Sequence, residues 1–149
     1  MQTISPAPKT PSSQREELAP RLRWAVTRMA RRLRQEAGVD LGPSQIAALA
    51  TVERHGPLSP SELAEIERVR RPTVTRIARH LEEGGLIERV RDPQDGRASI
   101  LTVTAEGRAL LKRLRERKTA YLAKRLAALD AEDRRTLERA AELLEGMLE

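Results

Sequence analysis

Cysteine and phenylalanine are absent, and Trp24 and Tyr121 are the only aromatic residues in 149. Without cysteine the chain has no disulfide, no thiolate metal site and no thiol redox chemistry of its own. A reducing cytoplasm suits such a chain, and that is its expected location. With so few rings the core must be built from Leu, Ile, Val and Ala. Base-stacking platforms for single strands or RNA are disfavoured for the same reason. Long apolar runs are also missing, so no membrane span is expected, and the N-terminus lacks a basic-then-apolar signal pattern. Histidine is scarce: neither His55 nor His80 stands in a carboxylate cluster spaced to hold a metal. No Gly-rich phosphate loop, nucleophile motif or convergent acid–base set appears, so neither catalysis nor a cofactor is expected.

Charge, by contrast, is abundant. Lys and Arg number 28 against 22 Asp and Glu, for a net charge of +6, which points toward an anionic partner. Placement says more than the total. Arg68, Arg70, Arg71, Arg76 and Arg79 fall in one short stretch with no acid between them.

The length supports one domain with helical extensions. Residues 1–14 carry three prolines and almost no periodic apolar pattern, which predicts a mobile tail. Over 15–38, Leu18, Leu22, Ala25, Met29 and Leu33 recur at three- and four-residue steps, and this predicts a helix ended by Gly38. A central unit is expected over 42–103. Its first helix starts at Gly42-Pro43-Ser44-Gln45 and buries Ile46, Leu49 and Ala50 before His55-Gly56-Pro57 stops it. Leu58 then pairs as a minimal strand. Ser59-Pro60-Ser61-Glu62 is a capping box with proline at the first helical position, opening a helix that turns Leu63, Ala64 and Ile66 inward. The next helix runs from about Arg71 to Glu83, with Val74, Ile77, Ala78 and Leu81 inward, and Gly84-Gly85 ends it. Two β-prone runs, Leu86 to Arg91 and Ala98 to Val103, flank a loop at 92–97. Over 104–149, Thr104 and Asp130 cap two further helices with apolar stripes of their own.

Helix, turn, helix, strand, basic loop, strand is the order of a winged helix-turn-helix. The fold class expected is therefore mainly α with a small β-wing, flanked by N- and C-terminal helices. Such a unit needs a small residue where its helices meet and apolar residues at the turn, and Ala64, Val69, Val74, Ile77 and Leu81 meet those demands. Arg68 occupies the turn position often taken by glycine, which suggests a slightly different turn, and Arg70 is a poor cap for the helix that follows. With the apolar residues buried, Arg71, Thr73, Thr75, Arg76 and Arg79 project outward. Arginine can bind guanine with two parallel hydrogen bonds, and threonine offers a methyl to thymine or a hydroxyl to phosphate. In the wing, Asp95 and Arg97 flank Gly96, so the carboxylate can orient the guanidinium toward a narrow minor groove. Double-stranded DNA is the partner this predicts. A winged unit that binds protein instead is the rival, and the acid-free arginine stretch together with Arg97 speaks against it.

Three stretches, LSPSELAE, RRPTVTRIARHLEEGGLIERVRDPQDGR and LTVTAEGRALL, resemble MarR-family transcriptional regulators, with the similarity covering about residues 15–148. The resemblance implies that the terminal helices form an obligate homodimer interface and that two winged units grip a pseudo-palindromic operator, most simply as a repressor. By the same resemblance Arg71, Thr73, Thr75 and Arg76 match base- or backbone-contacting positions, and Asp95 and Arg97 match the wing pair. Arg70 and Arg79 complete the expected DNA-binding set. Relatives often bind small phenolic or anionic effectors between the dimerisation helices and the winged unit. The candidates by character and location are Trp24, Arg28, His55 and Tyr121, although Trp24 suits packing against a partner chain better than lining a pocket.

Overall fold

Prolines mark where the helices begin. Pro43 and Pro60 are the first residues of α2 (Pro43–His55) and α3 (Pro60–Glu67), which follow α1 (Pro11–Ala37), and there the missing N–H costs nothing because it would have no intrahelical partner. The computed structural model describes residues 11–149. Beyond α3 come α4 (Arg71–Glu83), β1 (Ile87–Arg91), β2 (Ser99–Val103), α5 (Ala105–Ala127) and α6 (Ala131–Gly146). Helix α1 therefore starts a turn earlier than the expected Arg15, absorbing residues 11–14 of the anticipated tail. Residues 1–10 of that tail lie outside the described residues. Pro20 sits inside α1 and leaves the Glu16 carbonyl without the amide that would normally reach it.

Helix α2 lies at the centre, packed on α3, α4, α5 and β2. Leu49 and Val52 from α2, Leu63 from α3, Val74 and Leu81 from α4, Leu101 from β2 and Leu114 from α5 are wholly buried. Each contributes roughly 1.5 to 3 kcal/mol of hydrophobic stabilisation. This is the aliphatic core that a chain nearly without rings requires. Ile66, expected inward, is exposed instead. Glu67 accepts a hydrogen bond from the Thr51 hydroxyl of α2. That bond turns Leu63 and Glu67 toward α2 and leaves Ile66 on the outer edge of a helix only eight residues long.

The two strands pair antiparallel from Ile87 opposite Val103 to Arg91 opposite Ser99. Leu58 adds the expected isolated bridge: its N–H donates to Leu101 O at 3.2 Å, and Leu101 N–H returns the bond at 2.7 Å. Thr104 closes the unit. Its hydroxyl donates to Gly85 O at 2.6 Å while accepting from Gly107 N–H at 3.0 Å, and its own N–H donates to Leu86 O at 3.0 Å. The start of α5 is thereby tied to the end of α4.

The terminal helices behave differently. Helix α1 packs on α5, and the Arg117 guanidinium of α5 donates to Ala37 O at 2.7 Å, holding an otherwise unsatisfied carbonyl at the end of α1. Of the expected α1 stripe, only Leu22 and Leu33 are half-buried, while Leu18, Ala25 and Met29 face outward. Helix α6 buries no residue, and Leu137 and Leu143 along it, with Met147 and Leu148 beyond its C-terminus, are exposed, Leu148 by 88%. No helix among the described residues is long and apolar enough to cross a membrane.

Candidate nucleic-acid interface

The presentation of α4 begins with how firmly α3 is held. The Ser59 hydroxyl accepts from Glu62 N–H at 3.2 Å and the Glu62 carboxylate accepts from Ser59 N–H at 2.7 Å, so both halves of the capping box are in place. The Ser59 backbone N–H, and the Ser59 side chain after it, hold the Glu62 carboxyl below its usual carboxylate range. At the other end of α3, Arg68 takes a left-handed conformation, φ 53° and ψ 43°. The turn is thus the ordinary left-handed one, made by arginine, and not the altered turn expected from the missing glycine. Val69 N–H closes it by donating to Ala64 O at 3.0 Å. Arg70 then enters α4 extended, with no side-chain cap, as its residue type predicts.

On α4, Val74, Ile77, Ala78 and Leu81 are buried, and this fixes the helix about its axis. Arg71, Thr75, Arg76 and Arg79 are consequently exposed, Thr73 is half-buried, and Arg70 is exposed just ahead of the helix. The Thr75 hydroxyl donates to Arg71 O at 3.0 Å, which leaves the methyl as the part free to meet a thymine. Among the described residues, none of Arg70, Arg71, Arg76, Arg79 or Arg97 forms an ion pair. Their positive charges are uncompensated and face solvent.

The wing departs from expectation at Asp95. Its carboxylate accepts from the Arg97 backbone N–H at 3.1 Å and does not orient the guanidinium. Asp92 does the same for Gln94 N–H at 2.9 Å, while Asp92 N–H donates to Ala98 O at 2.9 Å and Ala98 N–H to Asp95 O at 3.0 Å. Two aspartates thus shape the loop as Asx-type turns, and the exposed Arg97 side chain stays free to extend. A brace absent from the sequence reading joins wing to helix: Arg89 of β1 donates two bonds to Glu82 of α4, at 3.1 and 3.2 Å, and a third to Ser99 Oγ at 3.1 Å. Its signal was faint, two opposite charges seven residues apart across a glycine turn.

The four candidate effector residues do not converge within one chain. Trp24 is 61% exposed with the Arg28 guanidinium 4.8 Å over its ring. Tyr121 lies with Arg125 at 5.1 Å and Arg32 at 5.8 Å, in a separate groove of about 660 Å³ that also involves Arg117 and Lys124. Tyr121, and Glu36 after it, hold Arg32 more firmly charged than an isolated guanidinium. His55 ends α2, exposed. They project from three helices, and residue character alone carries no information on separation.

An arginine-studded helix aimed by a helix-turn-helix, with a wing beside it that exposes Arg97, defines a winged helix-turn-helix protein. The MarR family model matches residues 41–99. An HTH-type transcriptional regulator of Mycobacterium bovis, Mb0904, itself uncharacterised, is 36% identical over 133 residues, 89% of this chain and 93% of its own. A solved structure from Pseudomonas aeruginosa PA01, described as a transcriptional regulator, superposes with a TM-score of 0.81 at 36% identity, covering 91% of this chain and 96% of that one. A Staphylococcus aureus MepR variant bound to an oligodeoxyribonucleotide shares the fold, with a TM-score of 0.69 at 20% identity over 89% of this chain and 98% of that one. The chain belongs to the MarR family and is a transcriptional regulator, not an enzyme.

Proposed function

We propose that the chain acts as a homodimeric repressor on a pseudo-palindromic operator, entering successive major grooves with α4 and adjacent minor grooves with Arg97. The observation that carries this reading is the outward face of α4, where Arg71, Arg76 and Arg79 are exposed without ion pairs while four buried side chains lock the helix. Arg70 and Thr73 serve the phosphate backbone, Thr75 and Arg76 the base edges, and Asp95 holds the turn that presents Arg97. The DNA-bound MepR variant supports DNA as the partner. The exposed leucines of α6 and the outward face of α1 support the dimer, because apolar patches of that extent on a lone chain would lie uncovered in water. Two-fold symmetry then sets the recognition helices about 34 Å apart, one duplex turn. A small aromatic or anionic effector would release the operator from a site that includes Trp24 and Arg28, Tyr121, or His55.

A salt titration of binding to a duplex selected from genomic fragments tests the reading. If the dimer neutralises about eight phosphates, log K falls with a slope of about 7 against log salt. A flat titration would instead favour a protein partner for the winged unit.

A further inference from the structure

The two terminal helices carry opposite charge. Helix α1 has seven arginines against three glutamates, and from Leu18 to Gln35 it contains six arginines and no acid. Helix α6 has five acids against three arginines. Their charges border apolar faces. At 100° per residue, Arg21 and Arg28 lie on one flank of the outward Leu18, Ala25 and Met29, with Trp24 beyond them. Glu138 and Glu145 likewise lie on one flank of the Leu137, Ala141, Leu144 and Leu148 stripe. Each pair is seven residues apart, about 10.5 Å along its helix. The basic pair on one helix therefore matches the acidic pair on the other in spacing. All four side chains are exposed, and among the described residues Arg21, Glu138 and Glu145 have no ion-pair partner in their own chain. Among the described residues helix α6 makes no extensive contact with another element of its own chain; Arg134 reaches back to Leu126 O at the end of α5.

Resting on the homodimer reading above, we infer that the acidic α6 of one copy docks against the arginine-lined α1 of the other, so that charge selects a second copy of this chain as partner. Pairing α1 with α1 would set arginines against arginines, and pairing α6 with α6 would set glutamates against glutamates. Crossed pairing alone joins opposite signs while covering both apolar faces, and two-fold symmetry makes the contact twice. Flanking charges of this kind govern partner choice more than raw affinity.

Charge reversal on the full chain tests this. Glu138→Arg with Glu145→Arg sets arginine against arginine across the crossed contact, and Arg21→Glu with Arg28→Glu sets glutamate against glutamate, so each variant should repel itself there. By sedimentation at low salt, each is expected to dimerise about tenfold or more weakly than the parent. An equimolar mixture should restore pairing to within about threefold of the parent, because both crossed contacts are again of opposite sign. That restoration also shows both variants to be folded. Should either fail to fold, the neutral pair Glu138→Gln with Glu145→Gln and the salt dependence of the parent dimer read the same contact, and both should weaken association. A parent that dimerises while reversal and salt leave its association unchanged overturns the charge pairing and spares the dimer. A monomeric parent overturns both.

Discussion

The backbone of Gly107 lies so close to Leu86 that a β-carbon at residue 107 would stand 2.2 Å from the Leu86 carbonyl oxygen and 2.9 Å from Val103 Cγ2. The first turn of α5 is pressed directly onto the entry to the wing. That contact, with the Thr104 bonds beside it, sets where the long α5 helix departs from the winged unit.

Gly107→Ala should therefore destabilise the fold. Alanine gains about 1 kcal/mol of helix propensity, but separating two backbone segments costs more, typically about 1 to 3 kcal/mol and here toward the upper end. Denaturant unfolding should show a net loss. Gly96 in the wing has open space around it and no positive φ, so Gly96→Ala should stay within about 0.5 kcal/mol of the parent. Equal stability of all three proteins would refute the close approach.

Arg68 predicts the opposite sign. A left-handed conformation costs a non-glycine residue about 1 to 2 kcal/mol, whereas glycine costs about 0.5 to 1 kcal/mol in chain entropy. Arg68→Gly should thus stabilise the protein by roughly 0.5 kcal/mol, visible as a raised melting temperature. A β-branched replacement such as Arg68→Val should lower it.

The DNA-facing arginines should separate by role. Arg76→Ala is expected to cost about 1 to 3 kcal/mol of operator affinity and to relax base preference at one position of each half-site. Arg97→Ala should weaken binding similarly on all sequences and make the salt slope shallower by about one per wing. Anisotropy titrations on operator and scrambled duplexes distinguish the two, and parental affinity in both variants would remove these residues from the interface.

Acid should loosen the start of α3. The folded Glu62 carboxyl titrates below its ordinary 4.5 because it accepts from Ser59. Its contribution is therefore complete above the unfolded value and is lost as pH falls through the folded one. Glu62→Gln keeps a hydrogen-bonding side chain at that position but cannot titrate. Thermal melts from neutral pH to below pH 4 should show the parent losing stability relative to Glu62→Gln, and parallel curves would exclude the carboxylate's role.

Much of the site was legible in the residues because its signals are local. The Ser59–Glu62 box, the apolar spacing of Val74, Ile77 and Leu81, and the arginines on the remaining faces all lie within one or two helical turns. The sequence marks Asp95 as a wing residue but leaves its partner open: it offers a guanidinium and an amide two positions away, and only loop geometry chooses the amide. Arg68 is unusual at a turn position often taken by glycine, but its conformation depends on how α3 and α4 pack. The Glu82–Arg89 brace required knowing that β1 returns alongside α4.

Helix limits, caps, the buried face of α4, the wing and the opposite charges of α1 and α6 were written in the order of residues, since each depends on neighbours within about four positions or on a period along one element. Tertiary structure alone decided the Gly107–Leu86 approach, the outward turn of Ile66, the scattering of Trp24, His55 and Tyr121, and the exposure of α6. These are distances between segments far apart in the chain. They follow from how the whole core closes, which no local spacing encodes.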